Sequence, residues 1–365
     1  MAHPSASSAM RQWLQELVMI ESPSGDAKGV QDVMERIAEV LDGTGRIRWE
    51  TTPMGPILQI SRGSGGALLL GHADTVWPQG TLKDMPWRDE GEWVYGPGAL
   101  DMKAGLALAM AVIRDLPETV PFRLLVTPDE EVGSEASRTA IEEAAQLAPL
   151  VLVLESGMPG GAIKVGRAGV GDFRLYVRGI ESHAGLDPDR GASAIRELAH
   201  QILWLEGLEQ KVLGTTVNVG VVSGGTRSNV VAGKAEAHID VRVTTRTEMD
   251  RIRATLEAPP RFDPNCQVEY QGGINRPPME PTADSAVWVE RARRIWSSVA
   301  GQQLAGVRVG GASDGNFTAR FTPTLDGLGA VGIGAHARGE GVEWRWMEPR
   351  HALLTQLISE AGRKA

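Results

Sequence analysis

The chain of 365 residues has a single cysteine, Cys266. An intrachain disulfide and a thiolate metal site are thereby excluded, and the composition suits a reducing compartment. Long hydrophobic runs are missing too: a stretch such as Ala144 to Leu154 is broken by Gln146 and Pro149 and falls short of a membrane span. There is no basic cluster, and a formal net charge of -9 argues against nucleic acid as a partner. Acidic small substrates would need local Arg or Lys. The first residues, MAHPSASSAMRQW, show neither a basic n-region nor an apolar h-region, so no signal peptide is read and a cytoplasmic location is expected, or a periplasmic one if a signal was removed. Internal repeats and low-complexity segments are absent. What remains, 42% hydrophobic and 23% charged residues, is ordinary for a globular protein, and the length favours two domains over one core.

Periodicity supplies the elements. From about Ser8 to Ile20, Met10, Trp13, Leu14, Leu17 and Val18 recur at helical spacing. Ser22, Pro23, Ser24 and Gly25 interrupt, and a second helix carries Val30, Val33, Met34, Ile37, Val40 and Leu41 on one face. These helices are expected to precede the first strand, the apolar run Ala67 to Leu70. A helix from about Lys103 to Leu116, a strand Phe122 to Thr127, a helix near Glu135 to Gln146 and a strand Leu150 to Leu154 then alternate as in a layered α/β domain. After Gly169 the pattern changes. Phe173, Leu175 and Val177 alternate with polar neighbours, as do Ala235, Ala237, Ile239, Val241 and Val243, around an amphipathic helix Ala192 to Leu208 and a strand Thr216 to Val222. The Pro-rich and Gly-rich segment Gln271 to Pro281 reads as the return to the first domain, and a further helix runs from about Ser285 to Ala300. The expected fold class is α/β: a mixed-sheet domain sandwiched by helices, built from residues 1–170 and 272–365, with a smaller α+β domain, residues 171–271, inserted into it.

Each strand of the first domain ends in acidic or histidine chemistry. His72 and Asp74 follow the first, Asp129, Glu130 and Glu131 the second, and Glu155 the third; open α/β sheets gather their sites at such carboxyl ends. In the His-x-Asp pair the imidazole can take a metal through one nitrogen while the carboxylate accepts a hydrogen bond from the other. Asp101, after a Gly-Pro-Gly turn, can add a hard oxygen ligand. The neighbouring carboxylates Glu130 and Glu131 would repel if buried together, and a cation would relieve that cost. A division of labour then follows, with Glu131 on the metal and Glu130 carrying a proton. Alone, Asp-Glu-Glu is a solvated turn capping a helix, and a lone His72 or His336 is a hydrogen-bonded core histidine. Together, His72, Asp101, Glu131, Glu155 and His336 suit two zinc-like ions sharing a carboxylate and a water. His3, His200, His238 and His351 lack such a setting and read as terminal or surface residues.

The segments GHADTVW at 71–77, GPGALDMKAG at 96–105, PDEEVGS at 128–134, LES at 154–156, SHAG at 182–185 and GAH at 334–336, with Glu340 downstream, resemble in order the motifs of the M20 family of zinc metallopeptidases, and within it the glutamate carboxypeptidase branch. That resemblance implies two zinc ions per chain, with cobalt or manganese as substitutes. His72 and Glu155 would bind one ion, Glu131 and His336 the other, and Asp101 would bridge them. It further implies that Asp74 orients His72, that Glu130 is the general acid/base, that the peptide bond after Asp101 is cis, and that residues 171–271 form a lid and dimerisation domain of a homodimer. His183 would reach the partner subunit's site and hold a developing oxyanion; read from its loop alone, it caps the helix that follows. Asn229, Arg242, Gly310 and Gly311 match substrate-binding positions. Arg242 suits a C-terminal carboxylate and equally suits the wet face of its strand; Arg167 and Arg276 are further candidates. Glu155, in place of aspartate, matches carboxypeptidases and deacylases. The run AIKVGRAG departs from the glutamate-specific pattern, which has a lysine two residues from Lys164. Trp77, Trp87, Trp93, Trp344 and Trp346 form either an aromatic wall or a hydrophobic support.

The implied activity is hydrolysis of an amide that releases a C-terminal amino acid from a small N-acyl or peptide substrate, with neither nucleic acid nor membrane as partner. One alternative is an aminoacylase or amidohydrolase acting on N-acyl amino acids or an unusual small amide. Outside the enzymes, the alternative is a metal-free binding relative, against which the complete ligand set and Glu130 argue.

Overall fold

The structure, a computed structural model, describes residues 6–363. It divides into two compact units. The first runs to Gly166 and resumes over Pro281–Val309 and from Ser313, while the second comprises Arg167–Glu280 with Gly310–Ala312.

In the first unit, helix α1 (Ala6–Val18) buries Met10, Leu14, Leu17 and Val18. Helix α2 (Ala27–Val40) starts at Asp26, whose carboxylate accepts hydrogen bonds from the Lys28 and Gly29 amides at 3.2 Å, and it buries Val30, Val33, Met34 and Ile37. A hairpin follows, β1 (Arg46–Thr52) and β2 (Gly55–Arg62), before β3 (Ala67–His72). The sequence reading places no strand there, and the reason is physical. Strand β1 is a largely exposed edge that does not alternate, and Pro56 interrupts the apolar run of β2. Helix α3 (Ala104–Asp115) is buried on every side from Ala104 to Ile113, as its unbroken apolar sequence requires. Then come β4 (Phe122–Thr127), α4 (Arg138–Gln146) and β5 (Val151–Val153).

These strands form a six-stranded mixed sheet closed by β10 (Thr324–Leu325), in the order β1-β2-β4-β3-β5-β10. Strand β3 lies parallel to both β4 and β5, with His72 opposite Thr127 and Leu70 opposite Val153. Their carboxyl ends therefore open at one edge of the sheet. On one face Leu69, Leu124 and Leu152 pack against α1, α2 and α3 and against α7 (Ala283–Ala300) and α8 (Met347–Gly362). On the other, Leu68, Leu70, Leu125 and Val151 meet Ile141 of α4 and Phe317. Burial on both faces explains why β3 reads as a continuous apolar run. Gly105 lets α3 approach the end of β5, since a Cβ there would stand 2.3 Å from the Leu154 carbonyl oxygen.

The second unit is an antiparallel sheet in the order β7-β8-β6-β9, made of β6 (Gly169–Arg178), β7 (Thr216–Gly224), β8 (Lys234–Val243) and β9 (Gln267–Arg276). Helices α5 (Ala194–Glu206) and α6 (Arg246–Glu257) supply Leu198, Leu205 and Ile252 to its core beside Leu175, Val177, Ile239 and Val241. The bounds at 170/171 and 271/272 fall inside β6 and β9, and the division lies at 166/167 and 280/281 instead. Gly272 disguised β9 as a linker. Its φ of 101° and its close approach to the Asp172 carbonyl, which a Cβ would meet at 2.2 Å, require glycine within the strand.

Candidate metal centre

The parallel ends of β3, β4 and β5 deliver three loops to one place. His72 ends β3, and its Nδ1 lies 3.0 Å from the Asp74 carbonyl oxygen and 3.3 Å from Asp74 Oδ1, which leaves Nε2 facing away from the strand's own partners. Asp74 is buried and does more than touch that ring. Its carboxylate accepts the amides of Glu130 (3.1 Å) and Glu131 (3.2 Å) and the Ser24 hydroxyl (2.6 Å), tying the β3 loop to the β4 loop. The Asp101–Met102 peptide bond is cis. His336 has a left-handed backbone, φ 60°, a conformation non-glycine residues adopt mainly where surroundings fix it.

His72 Nε2 lies 3.4 Å from Asp101 Oδ1 and 3.4 Å from Glu155 Oε1. His336 Nε2 lies 3.2 Å from Asp101 Oδ2 and 3.3 Å from Glu131 Oε1. These are two donor triads that share Asp101, one of its oxygens in each. The buried atoms His72 Nε2, Asp101 Oδ1 and Glu131 Oε1 have no hydrogen-bond partner, so the contacts are those of atoms aimed at a common point. Donors about 2.0–2.1 Å from a tetrahedral zinc stand about 3.3 Å apart, and the observed spacing fits. His72, Glu130 and Glu155 also offer atoms within 4.8 Å of one another.

Electrostatics agree with geometry. Burial disfavours charge on His72, yet the carboxylates of Asp101, Asp74 and Glu155 hold it well above its ordinary range. Asp101, despite burial, is held well below the usual carboxylate range by His336 and His72. The carboxylates of Asp101 and Glu131 raise His336 to about 10, and burial pushes Glu131 up. The cluster draws positive charge to itself.

Residues 68–360 match the family described as Peptidase family M20/M25/M40. The chain belongs to that family. Carboxypeptidase G2 from a Pseudomonas species is 28% identical, covering 96% of this chain and 88% of its own length. Acetylornithine deacetylase from Pasteurella multocida is 27% identical, covering 82% of this chain and 81% of its own length. Among solved structures, aminopeptidase PepT from Bacillus cereus superposes with a TM-score of 0.80 over 97% of this chain and 98% of its own, at 21% identity. The protein is thus an enzyme, a metallohydrolase of the M20 peptidase and amidohydrolase family, and its ligand cluster is where such an enzyme would hold metal.

The remaining candidates lie in the second unit of this M20 chain. His183 is exposed, and its Nδ1 accepts the amides of Gly185 and Leu186 at 3.1 Å, so it caps its own turn while Ser193 caps α5. The proton is accordingly on Nε2. Ala184 N donates to Asn229 O at 3.0 Å, which brings the SHAG and RSNV loops together. Arg242 forks onto Asp240, with Nε and Nη2 each 2.8 Å from a carboxylate oxygen. Arg167 is buried and holds the glycine-rich loop through the Gly311 and Ala312 carbonyls at 3.2 and 3.1 Å. In the first unit, Lys164 Nζ lies 3.9 Å from Glu155 Oε2. Trp344 and Trp346 are buried, the latter stacked on Trp296, which makes them support rather than an open wall. His200 is exposed, while His238 and His351 are half-buried, and His3 is outside the described residues.

Sequence reasoning missed one buried carboxylate of the M20 site's surroundings and gave a second no role. Asp314 accepts the Ser134 and Thr127 hydroxyls and so anchors the loop bearing Glu130 and Glu131. Its signal was the run GGASDGN, noticed only for its glycines. The second is Glu340, which the motif resemblance names downstream of GAH without assigning it a contact. Among the described residues no helix is long and apolar enough to cross a membrane.

Proposed function

We propose that the chain hydrolyses an amide bond to release a C-terminal amino acid from a small N-acyl or peptidyl substrate. The observation that carries this is the pair of donor triads sharing Asp101, with Glu130 beside them. His72, Asp101 and Glu155 would hold one zinc ion, and Glu131, Asp101 and His336 a second. The ions supply Lewis acidity toward the scissile carbonyl and toward the attacking water. Glu130 takes a proton from that water and returns it to the departing nitrogen. His183, protonated at Nε2, donates to the oxyanion as it develops, in the partner subunit's site of a homodimer. Asn229, Gly311 and Arg242 receive the substrate, Arg242 exchanging Asp240 for the substrate carboxylate.

Support for the carboxypeptidase direction comes from the similarity to carboxypeptidase G2 along nearly the whole chain. One observation favours a second reading, an aminoacylase acting on N-acyl amino acids and selective for the acyl group: the relatives include an acetylornithine deacetylase. The test is metal content per chain, with hydrolysis of folate-type, N-acetyl and dipeptide substrates ending in Glu, Asp, Phe or Leu, before and after chelation. Two zinc per chain and chelator-sensitive release of one C-terminal residue is the expected result. Preference governed by the acyl group instead selects the second reading, and a metal-free protein that stays inactive on zinc or cobalt addition rejects both.

A further inference from the structure

Glu340 is fully buried and lies far in sequence from the turn it contacts. Its Oε1 accepts the amides of Leu100 (2.8 Å) and Asp101 (2.9 Å), and its Oε2 accepts the Gly98 amide (2.9 Å) and the Trp77 indole N–H (2.7 Å). All four lone-pair directions of one carboxylate are thereby spent on the turn that presents Asp101 and on the loop that follows His72 and Asp74. The backbone joins in: Gly96 N donates to Glu340 O at 3.2 Å, and Glu340 N donates to Ala337 O at 3.1 Å, one residue past His336.

We propose that Glu340 is the positioning residue of the bridging carboxylate, fixing Asp101 relative to His336 so that its two oxygens serve two ions at once. The inference rests on the reading of Asp101 as the shared ligand. The chemistry is specific to a carboxylate. Glutamine in its place would turn two acceptors into two donors facing the Gly98 amide and the Trp77 indole, and the turn would have to rotate to escape them. Because Asp101 belongs to both triads, its rotation weakens both.

Four proteins test this: the full chain, Glu340→Gln, Trp77→Phe, which deletes one donor without inverting any, and Asp101→Asn. Zinc affinity is measured by competition with a chromophoric chelator, and the visible spectrum is recorded on the cobalt form. Glu248→Gln, in the other unit, controls for lost stability. Glu340→Gln is expected to bind zinc about 10–100-fold more weakly and to shift the cobalt bands, Trp77→Phe to move both in the same direction by less, and Glu248→Gln to move neither. Wild-type affinity and spectrum in Glu340→Gln and Trp77→Phe, with zinc lost in Asp101→Asn, would overturn the positioning role alone. A lower melting temperature for Glu340→Gln at unchanged affinity would overturn it likewise. Undiminished zinc binding by Asp101→Asn would overturn both this role and the metal reading. Should Glu340→Gln not fold, Trp77→Phe decides by itself.

Discussion

Glu130 and Glu131 are adjacent, and the turn they share sends them to different groups of donors. The Glu131 carboxylate stands 3.3 Å from His336 and within the donor set, whereas Glu130 groups with His72 and Glu155. Replacing the base leaves every proposed ligand in place. Glu130→Gln is therefore expected to retain its metal and melting temperature and to lose about 10²–10⁴ in kcat, read by elemental analysis beside turnover. Glu131→Gln should instead lose metal. Near-normal turnover of Glu130→Gln would sink the assignment of the base. Of the proposed ligands, His72, Glu131 and Glu155 stand out in the sequence because each follows a strand in a short motif, whereas Asp101 and His336 stand in glycine-rich turns. Asp314 was not legible, and Glu340 was named without a role, since what marks both is burial against loops more than a hundred residues away, which no local pattern records.

At the scale of elements, the sequence showed what alternation and apolar runs show: β3, β4 and the strands β6 and β8 stand close to where periodicity puts them. The hairpin β1–β2 and strand β9 were hidden because an exposed edge needs no alternation and glycine can serve inside a strand. Helix α6 was passed over although Met249, Ile252 and Leu256 stand at helical spacing behind a Thr245 cap. It is held by one polar contact as well as by packing: Glu248, buried, accepts from Arg251 at 2.9 and 2.7 Å and from Thr215 Oγ1 at 2.6 Å, joining α6 to the start of β7. Arg251 first, then Thr215, holds this carboxyl below its ordinary 4.5. A depressed native pKa contributes stability above the unfolded value, and that contribution is lost as pH falls through the native one. Glu248→Gln is expected to cost about 1–3 kcal/mol in urea unfolding at neutral pH, with the gap to wild type closing below roughly pH 4. A gap that persists unchanged in acid would mean that shape, not charge, carries the contact.

On the scale of the whole molecule, the proposed ligands and Glu130 come from one unit, while His183, Asn229 and Arg242 come from the other. The second unit leaves β7 at the edge of its sheet, with Val221 and Val222 57% and 56% exposed and Leu203 of α5 68% exposed. Such an edge is a template for pairing with a second copy, and it is the surface the proposed homodimer would use. Sedimentation should then give twice the chain mass, and Val221→Asp combined with Leu203→Glu should halve it while sparing metal content. Catalysis supplies the sharper test. Glu130→Gln and His183→Ala are each expected to be inactive alone. If His183 serves the partner subunit's site, subunit exchange between the two creates dimers in which one site has both native groups, and an equal mixture should recover about a quarter of wild-type activity. If His183 serves its own chain, every site in the mixture lacks one group and nothing is recovered. Recovery is expected to vanish when the Val221→Asp and Leu203→Glu changes are added to both chains, because no exchange can then assemble a site.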